Sequence, residues 1–206
     1  SRSRLDGNPA IRVTTWSIGP AAVLPVIDGG RLEDLVIDLE VAEAAIDLAF
    51  RNARQLGKVA KLNFLGEGES TADWSSFRHI IEYYKQKQRG AGQDSFVQLS
   101  TNGVFASGRL RYIAESCDRI TISVDGLAPE HNSSRMLPNG KGSFRHVRRT
   151  MAGLDRLGKP YSIRATITDK SVDSVGTFVE WLAAETGCLH RPDGIEHAGR
   201  ADRQAG

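Results

Sequence analysis

Residues 59–103 read VAKLNFLGEGESTADWSSFRHIIEYYKQKQRGAGQDSFVQLSTNG, and within them the hydrophobic period changes twice. Val59 to Leu65 reads as a strand, and Gly66 to Thr71 is glycine-rich and polar, as a turn is. From Trp74 to Gln88 the apolar residues Phe77, Ile80, Ile81 and Tyr84 recur at threes and fours, which predicts one buried face of a helix. Phe96 to Ser100 returns to strand character and stops at Thr101-Asn102-Gly103. Strand, helix and strand in close succession predict a parallel pair, because parallel strands require a crossover and a right-handed βαβ unit supplies it.

Outward from this segment the same unit recurs. Ala10 to Trp16 is a strand candidate, Ser17 to Gly30 a loop punctuated by Gly and Pro, and Leu39 to Leu56 a helix with Ala42, Ile46, Ala49 and Ala53 on one stripe and Gly57 as its stop. Downstream, a helix is expected near Arg109 to Cys117, and a strand follows in which Ile120, Ile122 and Val124 alternate. A Gly/Pro/Asn-rich loop leads to a helix carrying Phe144, Val147, Met151 and Leu154, then to a strand from Tyr161 to Thr168 and a helix marked by Val175, Phe178, Val179 and Leu182. The expected class is α/β with a parallel sheet clothed by helices, and periodicity leaves an open doubly wound sheet and a barrel as alternatives. Residues 9–187 form the expected domain. Residues 188–206 lose periodicity and read as an irregular tail, and the chain opens on Ser1 rather than methionine, as a fragment does.

Composition narrows the function classes. Lysine and arginine total 27 against 25 acids, a net of +2, so the balance gives no reason to expect a nucleic-acid partner. No apolar run reaches the roughly 20 residues of a membrane span, and Ser1 to Asn8 lacks a secretory apolar segment, so a cytoplasmic protein is expected. Cys117 and Cys188 are far apart and form neither a Cys-x-x-Cys pair nor a zinc spacing, and the five histidines form no ligand pattern.

Ligands of parallel α/β folds bind at the C-terminal ends of the strands, so the residues there are the functional candidates. The second strand ends in Leu65-Gly66-Glu67-Gly68-Glu69-Ser70-Thr71, where Gly68 permits close backbone approach and Glu69 can accept from a cation. Thr101 and Asn102 offer a hydroxyl and an amide, or simply turn chemistry. The period of two puts Thr121, Ser123 and Asp125 on one face, with Asp125 placed either for a ribose diol or as a turn aspartate. In the loop beyond, Arg135 can fork a carboxylate or stand solvated. Arg164 shares a face with Ser162, Thr166 and Thr168, pointing inward or forming an ion pair.

In order and spacing these segments resemble the radical SAM superfamily, most closely its anaerobic sulfatase maturases and SPASM-type peptide maturases. Phe64 to Thr71 resembles that family's Gly-Gly-Glu-Pro segment, Gln98-Leu99-Ser100-Thr101-Asn102-Gly103 its Gln-Thr-Asn-Gly strand, and Ile122-Ser123-Val124-Asp125-Gly126 its Ser-x-Asp-Gly strand. His131 to Arg135 and Gly140 to Phe144 follow in register, so the resemblance spans roughly residues 11–187. It implies a partial (βα) barrel of radical SAM type, truncated after about five βα units, acting by radical chemistry on a peptide or protein substrate. It implies S-adenosylmethionine held by Gly68 and Glu69 at its amino end, by Ser123 and Arg135 at its carboxylate and by Asp125 near the ribose, with Thr101 and Asn102 lining the mouth. It also implies a [4Fe-4S] cluster on a Cys-x-x-x-Cys-x-x-Cys loop after the first strand.

That loop here is Ser17 to Pro25, and the cysteine positions fall on Ile18, Ala22 and Pro25, none of which ligates iron. Glu67 replaces a glycine of the family pattern and Ser70 a proline. The expectation is a radical SAM core that is inactive as written, through a frame error or truncation. The alternatives are a non-catalytic relative that binds S-adenosylmethionine or a peptide, and an unrelated α/β-barrel enzyme using its acids for proton transfer.

Overall fold

The computed structural model describes residues 10–13, 38–65, 69–92, 94–169 and 171–188. Five strands, β1 (Ala10–Val13), β2 (Ala60–Phe64), β3 (Ser95–Thr101), β4 (Arg119–Ser123) and β5 (Ser162–Arg164), form one sheet. All four neighbouring pairs are parallel. Six α-helices are described: α1 (Leu39–Leu56), α2 (Trp74–Ala91), α3 (Ser107–Ser116), α4 (Ala128–Ser134), α5 (Phe144–Arg156) and α6 (Val175–Glu185).

The strand order is β1-β2-β3-β4-β5, the same as the order in sequence. A doubly wound sheet reverses its order at a switch point, and this one does not, so the arrangement is that of an unrolled portion of a barrel. Register explains why only one face is apolar. Leu62 lies beside Val97, Leu99 beside Ile120 and Ile122 beside Ile163. These residues share one core with Ile46 of α1, Phe77 and Ile80 of α2, Ile113 of α3, Met151 of α5 and Phe178 of α6. On the other face Asn63, Gln98, Ser100 and Ser123 are half-buried, and Arg164 is exposed rather than enclosed.

Local chemistry sets the element ends. Asp38 caps α1 by accepting from the Glu40 N–H at 2.8 Å, and Gly57 closes it in the left-handed region at φ 61°. Tyr84 of α2 donates to the Ala60 carbonyl at 2.7 Å and accepts from the Phe96 N–H at 3.3 Å, which pins the helix to β2 and β3.

Two expectations need correction. The strand predicted over Tyr161 to Thr168 is only Ser162–Arg164, because beyond Arg164 the Thr166 N–H turns out of the ladder and donates to the Asp125 carboxylate at 3.0 Å. The segment predicted as a loop after Gly126 contains α4, a helix opened by Pro129 in its first turn, where a missing N–H does no harm. Ala10–Val13 agrees with the start of the first predicted strand; the rest of that strand, the Ser17 to Gly30 loop and residues 189–206 lie outside the described residues, while Cys188, read as the start of the tail, is buried in the core. Among the described residues no helix is long and apolar enough to cross a membrane.

Ile122 is fully buried on β4, between β3 and β5. Ile122→Ala is expected to lower stability in urea denaturation by about 2–5 kcal/mol. A loss below about 1 kcal/mol would place Ile122 outside the core.

Candidate functional site

The site is built where β2, β3, β4 and β5 end, and two buried carboxylates organise it. Glu69 is 6% exposed. Its Oε1 accepts from the Thr71 N–H at 3.1 Å and the Thr71 hydroxyl at 2.7 Å, and its Oε2 accepts from the Asn102 N–H at 2.6 Å. The Thr101 hydroxyl lies 2.9 Å from both oxygens. Glu69 therefore ties the loop after β2 to the end of β3. Asn102 contributes its backbone, while its side-chain Oδ1 accepts from the Val104 N–H at 2.8 Å and makes the local turn. Arg109 holds the same loop from α3, donating to the Thr71 carbonyl at 2.8 Å with its guanidinium 4.8 Å from the Trp74 ring centroid. Gly68 lies outside the described residues.

The second carboxylate, Asp125, follows β4. Arg135 Nε donates to Oδ2 at 2.6 Å and Nη2 to Oδ1 at 3.3 Å, a two-pronged pair. Ser134 donates to Oδ2 at 3.0 Å, and the Thr166 N–H to Oδ1 at 3.0 Å. Burial works against the charged carboxylate, but hydrogen bonds from Arg135, Thr166 and Ser134, with the charge of Arg135, outweigh it and hold Asp125 below its ordinary range. Arg135 is thus committed to a neighbour on two of its three nitrogens, where the sequence suggested a free fork. Its Nη1 makes no hydrogen bond among the described residues and is the donor left for a ligand.

His131 of α4 closes a ring around this pair. It is fully buried, and its Nδ1 lies 3.3 Å from the Asp125 N–H, which can only donate, so Nδ1 is bare and Nε2 carries the proton. Nε2 lies 2.9 Å from the Ser143 hydroxyl, which must accept there and therefore donates its own hydrogen to the Arg135 carbonyl at 2.6 Å. The ring runs from the Asp125 backbone through His131 and Ser143 to the Arg135 backbone, and returns through the Arg135 side chain to the Asp125 carboxylate. Ser143 accordingly gives the N-terminus of α5 no cap of its own, and Asn132 Oδ1 accepts from the Phe144 N–H there at 2.9 Å instead. Burial first, then the Arg135 charge, push the imidazole down to about 4 against a partial opposing pull from Asp125.

A cavity of about 450 Å³ opens beside this network, lined by Asp125, Glu130, Ser133, Arg135, Thr166 and Thr168, among others. Its size falls in the roughly 300–1,000 Å³ range of small-molecule sites. The sequence reading passed over Ser134, Ser143 and Glu130, and treated His131 only as part of a loop pattern. The signal available for His131 was its spacing of four from Arg135, which on a helix puts both on one side. Arg164 and Ser123 sit in register on β5 and β4 at the polar face, adjacent to the network without joining it.

A cluster of iron and sulfide does not fit the donor set. The chain has two cysteines; both are buried, and Cys117 stands before β4, at the opposite end of the strand from the site. Burial pushes the Cys117 thiol up to about 12, so it offers no ready thiolate. Among the described residues no three His, Cys, Asp or Glu side chains converge as metal ligands.

No family model and no curated protein matches the chain. Solved structures do share its fold. His-tagged anSMEcpe with bound AdoMet, an anaerobic sulfatase maturing enzyme of radical SAM type, aligns at a TM-score of 0.71 and 18% identity over 85% of this chain and 48% of that one. Native anSMEcpe with bound AdoMet and Cp18Cys peptide aligns at 0.69 and 19% identity over 85% of this chain and 47% of that one. The chain therefore shares the α/β fold of these structures and spans about half of their length.

Because His131 is held below its ordinary value, its protonation is resisted in the folded state and not in the unfolded one. The stability it contributes is complete above the ordinary value of 6.5 and declines as pH falls toward about 4. In an NMR titration the His131 ring is expected to remain in the Nε2–H form at pH 5.5 and to titrate near pH 4. A midpoint close to 6.5, or an Nδ1–H tautomer at neutral pH, would contradict the ring.

Proposed function

We propose that this chain is the S-adenosylmethionine-binding core of a radical SAM maturase acting on a peptide or protein, and that as written it binds the cofactor without generating a radical. The observation that carries this reading is the cavity at the ends of β4 and β5, where an arginine held by a buried carboxylate faces a space of about 450 Å³. Its support from likeness is a fold shared with structures that contain AdoMet, one of them together with a peptide.

Each proposed contact follows from chemistry. Arg135 Nη1 and the Ser123 hydroxyl are donors suited to the cofactor's carboxylate, and Asp125 fixes the guanidinium in place for that contact. The cavity wall beside Asp125 takes the ribose region. Glu69 supplies negative charge at the amino end together with Gly68; a bound ammonium would replace the Thr71 or Thr101 hydroxyl as donor, whereas the backbone donors from Thr71 and Asn102 stay. Thr101 and Asn102 border the mouth. The polar face carrying Asn63, Gln98 and Ser100 offers hydrogen-bonding groups to a peptide.

In the family the cluster supplies the electron that cleaves the bound sulfonium. With Ile18, Ala22 and Pro25 in the ligand positions, this chain offers such a cluster no thiolate there. The same observation favours a second reading, a non-catalytic relative that binds S-adenosylmethionine or a precursor peptide. Both readings place one domain over residues 9–187, with residues 188–206 outside it, in the cytoplasm.

Calorimetry is expected to show S-adenosylmethionine binding that weakens by about tenfold or more in Arg135→Ala, the loss of a charge-assisted hydrogen bond. Anaerobic reconstitution with iron and sulfide is expected to give no cluster absorbance. A folded sample without binding would remove the proposed site, and a reconstituted cluster would overturn the claim about the cysteines.

A further inference from the structure

Lone pairs decide which carboxylate in the cavity is open to a ligand. An ionised carboxylate has about four acceptor directions. Those of Asp125 are taken by Arg135 Nε, Arg135 Nη2, the Ser134 hydroxyl and the Thr166 N–H, two on each oxygen. Glu130, five residues on, lines the same cavity in the opposite condition. No hydrogen bond or ion pair reaches its carboxylate among the described residues, and its Oε2 is buried without a partner.

A buried acceptor without a donor is unfavourable by about 1–3 kcal/mol, and more when charged, so its persistence calls for a reason. Glu130 lies in the first turn of α4, where an acid suits the helix dipole, but that role is served equally well by a carboxylate in water. The backbone beside it is shaped to admit it: Gly126 has φ 140°, and a Cβ there would stand 2.8 Å from the Glu130 Cβ. A side chain at position 126 would be strained at that φ and would force Glu130 or the backbone beside it to move.

We propose that Glu130, not Asp125, is the acceptor that reads the hydroxyls of a ribose-bearing ligand in this cavity. Asp125 acts as a positioning residue for Arg135, and Glu130 touches the ligand. Vicinal hydroxyls present two donors to one carboxylate; Oε2 is closed to solvent in the unliganded chain, so the side chain turns toward the cavity to receive them. This rests on the nucleoside-binding reading above and names the group that makes it specific.

The test compares the wild-type chain with Glu130→Ala and Glu130→Gln by calorimetry, using S-adenosylmethionine, adenosine and 2′,3′-dideoxyadenosine. The wild type is expected to prefer adenosine over the dideoxy compound by about tenfold, and Glu130→Ala to bind the two alike while its affinity for S-adenosylmethionine falls by a similar factor. Glu130→Gln, which keeps one acceptor oxygen, is expected to lie between them. The Tm of Glu130→Ala is expected to stay close to the wild-type value, because relief of an unsatisfied group offsets the lost helix-dipole contribution. Unchanged discrimination in folded Glu130→Ala, or a Tm lowered far beyond the dipole contribution, would overturn the assignment while leaving the cofactor site standing. A wild type that binds S-adenosylmethionine but neither nucleoside would overturn it too. A wild type that binds none of the three would remove the reading and the assignment together.

Discussion

The carboxylate of Asp125 is where the functional end of this fold is held together. It is a buried charge, which is tolerated only when its hydrogen-bonding capacity is filled. Four donors from three residues fill it: Arg135 and Ser134 near the end of α4, and the Thr166 backbone beyond β5. Each donor fixes a piece of chain. Thr166 leaves the sheet, which ends β5, and Arg135 draws the end of α4 onto β4. The His131 to Ser143 relay then ties the start of α5 to the same point.

The sheet makes this possible by being rigid on one side and polar on the other. Leu62, Leu99, Ile122 and Ile163 lock the strands to the helices, so the strand ends hold their positions while the residues beyond them carry polar chemistry. The two ordered acids differ in what they join. Glu69 links the ends of β2 and β3 through Thr71, Thr101 and Asn102, and Asp125 links β4 to β5 and α4. Glu130 stands apart from both in having no donor to its carboxylate among the described residues, which makes the cavity asymmetric: an arginine on one wall committed to Asp125, a carboxyl group on another without a described partner.

Most of the architecture was legible because it rests on periodicity. Phe77, Ile80, Ile81 and Tyr84 predict α2, and all four are buried in it. The boundaries that failed depend on partners distant in sequence. Nothing in Tyr161 to Thr168 says that Thr166 will find Asp125, 41 residues earlier, and a seven-residue helix such as α4 is too short to display a hydrophobic stripe. For the candidate site, the strand-end rule singled out Glu69, Thr101, Ser123 and Asp125, and the loop beyond β4 singled out Arg135, but sequence carries no count of lone pairs. It could not reveal that Arg135 and Asp125 satisfy each other, or that Asn102 spends its side chain on its own turn. The cysteine deficit, by contrast, was plain in the sequence, since a missing residue type needs no geometry.

The proposal that the ends of β2 to β5 form one site for S-adenosylmethionine is tested most directly by titrating the isotope-labelled chain with S-adenosylmethionine and following it by NMR. Saturable shifts are expected, confined to the backbone amides of Thr101, Ser123, Asp125 and Thr166, the Arg135 Nε–H and the first turn of α4. Saturable shifts elsewhere with these signals unmoved, or no shifts at millimolar cofactor in a folded sample, would contradict it.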